Sequence, residues 1–204
     1  MIARGTVTPF HDQDISVFTD PGPGPEAIPG KIAQGSKKSR NKESSMTETI
    51  LKHRYESGLV GCLELQVSDR GVRSISFISQ IGPGEDSPRH PIMLRLIGEL
   101  DEYFAGTRRE FSVPLDPNSG TGFQRSVWEA LTRIPYGKTR SYGDIASSVG
   151  NPRAARAVGL ANKSNNIPIL IPCHRVIRGN GGLGGYSSGI HIKRKLLALE
   201  GISL

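Results

Sequence analysis

Residues 167–177 read Ile-Pro-Ile-Leu-Ile-Pro-Cys-His-Arg-Val-Ile, so an apolar run punctuated by prolines delivers a thiol, an imidazole and a guanidinium in succession. A thiol attacks only as its thiolate, and an unperturbed one is a few per cent ionised at neutral pH. Burial beneath an apolar run lowers that fraction further, because the charged form loses its hydration. A nucleophile at Cys173 therefore needs a nearby base or cation, each pK unit being worth about 1.4 kcal/mol. His174 is the adjacent base. Side chains of chain neighbours often point apart, so a water relay would carry the proton and a carboxylate would orient the ring. Glu200 is the leading candidate for that third member: in the last turn of a helix a carboxylate is disfavoured by the dipole and needs another partner. The competing reading of the same residues is a buried packing cysteine beside a satisfied histidine. A buried strand accounts for the apolar run but leaves the polar pair at its end unexplained.

The chain has two cysteines, Cys62 and Cys173. Two are too few for a disulfide framework or a cysteine-rich zinc site. Adjacent Cys and His cannot readily chelate one tetrahedral ion, and the chain has no second pair with useful spacing, so no metal is expected. The beginning of the chain has neither the apolar core of a secretory signal nor, given Asp12, Asp14 and Asp20, the acid-poor character of a transit peptide. A soluble, reduced protein of the cytoplasm, or of the nucleus in a eukaryote, is the expectation.

The net charge of +7 is unevenly placed. Residues 123–204 carry 12 basic and 3 acidic side chains, whereas residues 46–122 carry 8 and 11. A segment with that excess binds a polyanion by releasing its condensed counterions, or else is simply a solvated basic surface.

Several elements must position these groups. Residues 1–45 are rich in Pro, Gly, Ser and Lys with little apolar periodicity, and read as a disordered tail. Leu63, Leu65 and Val67 alternate with polar residues before Asp-Arg-Gly and a second alternating run, the signature of a hairpin. Apolar residues at 92, 93, 96, 97, 100, 103 and 104 trace one face of a helix, with Pro91 to start it and Gly106 to end it. Phe111, Val113 and Leu115 alternate as a further strand, and residues 116–122 read as a linker. Residues 46–119 thus form an α/β domain in which nothing signals chemistry. Residues 120–204 form a helical domain. Phe123, Val127, Leu131 and Ile134 fall at helical spacing, Ser141 can cap a second helix, and Asn151 with Pro152 supplies the cap and first turn of a third. Two helices parted by Gly150 and Asn151 suggest a helix-turn-helix, a weak signal alone. Arg153 and Arg156 among small alanines would offer cations at close approach. Residues 178–189 contain six glycines, which let a backbone come near a ligand. Ile192, Leu196 and Leu199 share a face of the closing helix, and Gly201 stops it.

The Pro-Cys-His-Arg motif, together with Ser-Tyr-Gly-Asp-Ile-Ala at 141–146, the continuous stretch 150–176 and the closing Leu-Leu-Ala-Leu-Glu-Gly, resembles the O6-alkylguanine-DNA alkyltransferases. The likeness is continuous over roughly residues 120–202 and looser over 59–118. It implies a ribonuclease-H-like α/β N-terminal domain followed by a mostly α, winged-helix-like, helix-turn-helix DNA-binding domain. It also implies direct, stoichiometric transfer of an alkyl group from guanine O6, or thymine O4, in double-stranded DNA to Cys173, without a cofactor; a protein that flips single bases can work as a monomer, which is the expectation.

By motif position the resemblance assigns His174 to activate the thiol through water and Glu200 to orient it. Asn165 would hold the loop and join that catalytic network, and Tyr142 would donate to the guanine ring as it leaves. Arg156 resembles the finger that fills the vacated base stack, with Ala154 and Ala155 permitting close minor-groove approach beside Arg153. Tyr186 and Ser187 would line the base pocket while the backbone near Val176 reads the base edge. Ser188 stands where glycine is common, implying a narrower pocket, and Lys195 where a large aromatic is frequent. The N-terminal zinc ligands of some animal members are not evident. Two other functions compete: a module that recognises alkylated bases without repairing them, against which the cysteine argues, and a Cys-His hydrolase, which would leave the basic segment unexplained.

Overall fold

Alternation of buried and exposed residues builds the first layer. The computed structural model describes residues 49–79, 89–117 and 119–204; the expected tail at 1–45 lies outside them. Strands β1 (Leu51–Ser57), β2 (Gly61–Ser68) and β3 (Gly71–Ile78) form an antiparallel sheet in that order. Asp69 and Arg70 alone separate the paired Ser68 and Gly71, which is the hairpin the sequence signalled. β1 carried no such signal because most of its residues are polar or exposed and only Tyr55 and Ser57 are buried. Leu63, Leu65 and Val67 are wholly buried on one face of β2. Helix α1 (Pro91–Phe104) covers that face with Met93, Leu96, Leu100 and Tyr103. Pro91 stands at its first turn and Gly106 follows with φ 75°, a left-handed residue that glycine supplies without steric penalty.

The strand expected at 111–115 does not form. Only Leu115 makes an isolated bridge, to Val72, flanked by Val72 N–H to Pro114 O at 2.8 Å and Asp116 N–H to Val72 O at 2.9 Å. Pro114 has no N–H for a ladder. The amides of Ser112 and Val113 donate instead to Glu99 Oε2, at 2.9 and 3.2 Å. The expected linker is also tied down, since Asp116 accepts from Ser68 Oγ at 2.7 Å and Arg73 at 3.0 Å.

Thr121 opens helix α2 (Gly122–Thr132) with a reciprocal cap to Gln124. Strand β4 (Arg140–Ser141) leads into α3 (Tyr142–Ser148), where Ser141 and Asp144 make the same exchange, satisfying two otherwise orphaned amides. The third helix, α4 (Ala155–Lys163), starts later than Asn151 and Pro152 suggested. Asn151 N–H is used to close α3 on Ala146 O, and Asn151 O accepts from Ala154 N–H in a turn that reverses the chain first. Arg153 and Ala154 therefore precede the helix.

The apolar run is not a strand either. Ile167, Ile169, Leu170 and Ile171 are buried in a turn closed by Ile171 N–H to Ile167 O, and Ile169 sits at φ 76°. Pro168 and Pro172 cannot donate to a ladder, and Asn165 serves the turn from both ends of its amide. Cys173–Arg175 form one 3₁₀ turn, Val176–Ile177 form β5, paired in parallel with β4, and Ile190–Leu199 form α5. The two halves are joined by Ile75 N–H to Asn166 O at 2.9 Å and by Lys195 Nζ to Leu59 O at 2.7 Å. Lys195, standing where a large aromatic is frequent, is thus tied to the sheet domain. No helix among the described residues is long and apolar enough to cross a membrane.

Candidate active site

The Ile167–Ile171 turn ends by pointing its chain into the interior, where Cys173 is 4% exposed and its N–H is bonded to Ile171 O at 2.8 Å. Burial pushes the Cys173 thiol up, while the Asn165 amide, the Lys193 ammonium and the Tyr186 hydroxyl pull it back. The thiol forms part of a pocket of about 460 Å³ whose other walls include Tyr142, Gly159, Asn162, Tyr186 and Ser187.

His174 is fully buried and its Nε2 lies 2.8 Å from Glu200 Oε1. Burial holds the imidazole below its ordinary pKa despite that carboxylate. Glu200 also accepts from Arg175 Nε at 2.9 Å and Nη2 at 2.9 Å, Tyr103 Oη at 2.9 Å and Gly137 N–H at 3.2 Å. Burial alone would raise the Glu200 carboxyl, but these donors outweigh it and bring it to about 2. An ionised carboxylate only accepts, so His174 carries its proton on Nε2. Nδ1 is left with its lone pair, and it has no hydrogen-bond partner among the described residues. The ring is thus a neutral base with one nitrogen anchored and the other open. Glu200 caps α5, and the partners that its place against the helix dipole demanded are these donors.

Tyr142 opens α3 and is half-buried; burial, then the charge a thiolate would place on Cys173, raises its phenol. A Cβ on Gly184 would stand 3.0 Å from the Tyr142 hydroxyl, and Gly184 has φ 70°. The glycine-rich loop therefore closes on Tyr142 only without a side chain there. Tyr186 packs edge-on to Phe77 of β3, with ring centroids 6.4 Å apart. Its buried hydroxyl meets no oxygen or nitrogen partner among the described residues. Ser187 lines the pocket; Ser188 and Val176 are not among its lining residues. The Val176 carbonyl already accepts from Lys193 Nζ, which also donates to Leu183 O, so one buried ammonium ties β5 to the glycine-rich loop. Burial brings that lysine down to about 8. Asn165 holds the loop rather than entering the pocket, donating to Ile171 O at 2.8 Å and accepting from Ile167 N–H at 3.0 Å. Arg153 and Arg156 are exposed, with Ala154 and Ala155 half-buried beside them at the start of α4. No group of three or more His, Cys, Asp or Glu placed to hold a metal occurs among the described residues.

Residues 122–202 match the family profile described as 6-O-methylguanine DNA methyltransferase, DNA binding domain, and residues 50–117 match its ribonuclease-like domain. The chain belongs to the 6-O-methylguanine DNA methyltransferase family. Proteins named methylated-DNA–protein-cysteine methyltransferase from Methanosarcina acetivorans and Mycobacterium leprae are 60% and 54% identical over 103 and 113 residues. Those matches cover 50% and 55% of this chain, and 65% and 68% of the relatives. A constitutive Bacillus subtilis protein of that name is 58% identical over 106 residues, covering 52% of this chain and 64% of its own. The match thus spans just under two thirds of the M. acetivorans and B. subtilis proteins. The crystal structure of Mycobacterium tuberculosis O6-methylguanine methyltransferase superimposes with a TM-score of 0.66 at 43% identity, over 74% of this chain and 93% of that one. The M. tuberculosis OGT in complex with DNA gives 0.65 at 45% identity, over 73% and 91%. The two-part architecture of this methyltransferase-family chain is therefore a ribonuclease-like domain and a helical DNA-binding domain.

Within this family frame, sequence reasoning missed Tyr103, Arg175 as a ligand of Glu200, the Gly137 amide and Lys193. Lys193 left a trace, a cation at the core spacing of Leu196 and Leu197. Tyr103 left none, because it is also a regular member of the apolar stripe of α1.

Proposed function

We propose that this protein repairs alkylated DNA by taking the alkyl group from guanine O6, or thymine O4, onto Cys173, acting once per molecule as a methylated-DNA–protein-cysteine S-methyltransferase. The observation that carries this reading is the open Nδ1 of a neutral His174 whose other nitrogen is anchored by Glu200, beside a thiol in a base-sized pocket. Through one water, Nδ1 accepts the Sγ proton, and the imidazolium so formed is stabilised by the Glu200 carboxylate. Sulfur then attacks the alkyl carbon and the carbon–O6 bond breaks, its electron pair passing to the base. Tyr142 donates to the ring so that the base leaves without an uncompensated charge. The product is a thioether, which nothing in the site can hydrolyse, and this supports a single turnover.

A carbon inside a stacked duplex cannot reach a buried thiol, so the nucleotide must be extruded. Arg156 is the side chain to occupy the gap, Ala154 and Ala155 let the helix start approach the minor groove, and Arg153 adds a phosphate contact. Tyr186 and Ser187 then bound the base.

Incubation with a duplex holding one O6-methylguanine, followed by intact mass, tests the reading. One gain of about 14 Da, a methyl replacing a proton on a nucleophilic cysteine, is expected on Cys173 and absent in Cys173→Ala. Binding to the lesion without a mass gain would mean recognition only.

A further inference from the structure

Asn162 lies one residue before the end of α4, and with Gly159 and Lys163 it occupies the helix face that walls the Cys173 pocket. Positions three and four apart share such a face. Both ends of its side-chain amide, Oδ1 and Nδ2, are buried with no hydrogen-bond partner among the described residues. Asn165, three residues on, is the contrast: its amide nitrogen donates to Ile171 O and its amide oxygen accepts from Ile167 N–H. A buried amide without partners is destabilising, and an aliphatic side chain would fill the same wall without that penalty. The fold makes no use of the amide of Asn162. A ligand that carries donors and acceptors would.

We propose that Asn162 is a specificity-determining residue that hydrogen-bonds the extruded nucleobase and makes the pocket favour methyl over large apolar alkyl groups. This rests on the reading of Cys173 as the acceptor of an alkyl group from a base. An amide offers an acceptor oxygen and two N–H donors in one plane, the complement of a base rim that presents both kinds of group. A methyl group is small enough to leave that pairing intact. A benzyl ring laid along this wall covers the amide with carbon and leaves its polar atoms unsatisfied.

The test is single-turnover transfer to the full chain from duplexes containing O6-methylguanine or O6-benzylguanine, read by intact mass for wild type, Asn162→Leu and Asn162→Gln. In Asn162→Leu the methyl rate falls by about tenfold while the benzyl rate holds or rises, one hydrogen bond being worth about that factor. The methyl-to-benzyl ratio therefore drops at least about tenfold, and Asn162→Gln, which keeps the amide, recovers part of it. Equal slowing on both substrates overturns the proposal, because a purely structural residue gives that result. Asn162→Ala, which removes the amide without adding bulk, supplies the same ratio if the leucine variant is poorly folded. Wild-type protein that accepts neither group defeats the transfer reading and this proposal with it; wild-type transfer with an unchanged ratio in the variants defeats this proposal alone.

Discussion

Tyr103, on the helix of the N-terminal domain, donates a 2.9 Å hydrogen bond to Glu200 Oε1, the same oxygen that His174 Nε2 approaches at 2.8 Å from the opposite end of the chain. The carboxylate is thus held from α1, from the Gly137 turn and from the Cys173–Arg175 turn together. Tyr136 reinforces this from the side, its ring flanked by the guanidinium carbons of Arg109 and Arg175 at 5.8 and 5.9 Å from its centroid and its hydroxyl donating to Leu199 O. The N-terminal domain therefore does more than cover the sheet. It completes the fixation of the group that sets the histidine tautomer.

Tyr103→Phe keeps the ring contacts with Phe104, Phe111 and Tyr136 and removes only the hydroxyl. A hydrogen bond to a buried charge is worth about 1.5–3 kcal/mol, so urea unfolding should show a loss in that range. Transfer to Cys173 should slow in the same variant, because Glu200 holds His174 less firmly. An unchanged midpoint and an unchanged rate would separate Tyr103 from the site.

Glu200 also sets an acid limit. Its folded pKa, about 2, lies below the ordinary value of 4.5. For a carboxylate with a depressed folded pKa, the stabilisation is complete above the unfolded value and is lost as pH falls toward the folded one. The amount is on the order of 3 kcal/mol, from 1.36 kcal/mol per pK unit. Urea midpoints measured from pH 6 down to about pH 2 should fall across that window in wild type and much less in Glu200→Gln. Parallel slopes would refute the assignment.

Gly184→Ala probes the closure of the glycine-rich loop. The left-handed conformation costs an alanine about 1–2 kcal/mol. Its Cβ would also press on the Tyr142 hydroxyl from 3.0 Å. Transfer should be impaired more than stability, whereas Gly179→Ala, where the added carbon meets nothing within 4 Å, should behave as wild type. Equal behaviour of the two variants would show that the loop tolerates a side chain against Tyr142.

Local rules were legible wherever one stretch of chain satisfies itself. The 63–77 hairpin, the α1 stripe with Pro91 and Gly106, and the cap at Ser141 all depend on near neighbours, and all stand as the residues indicated. The strand at 111–115 and the helix start at Asn151 failed for one shared reason: their backbone amides were claimed by Glu99 and by the end of α3 before a ladder or a helix could use them. Side-chain alternation does not record such competition.

The sequence by itself determined which groups were available: Cys173, His174 and Glu200 read as a candidate nucleophile, base and orienter, a reading that the family resemblance favoured over a buried packing cysteine. Only the tertiary structure decided which nitrogen of His174 is anchored, that Arg175 and Tyr103 share its carboxylate, and that Asn162 stands in the wall of the pocket with its buried amide unpartnered among the described residues. Those facts follow from groups up to 97 residues apart in sequence meeting across a buried, low-dielectric contact. Their spacing along the chain carries no trace of the meeting.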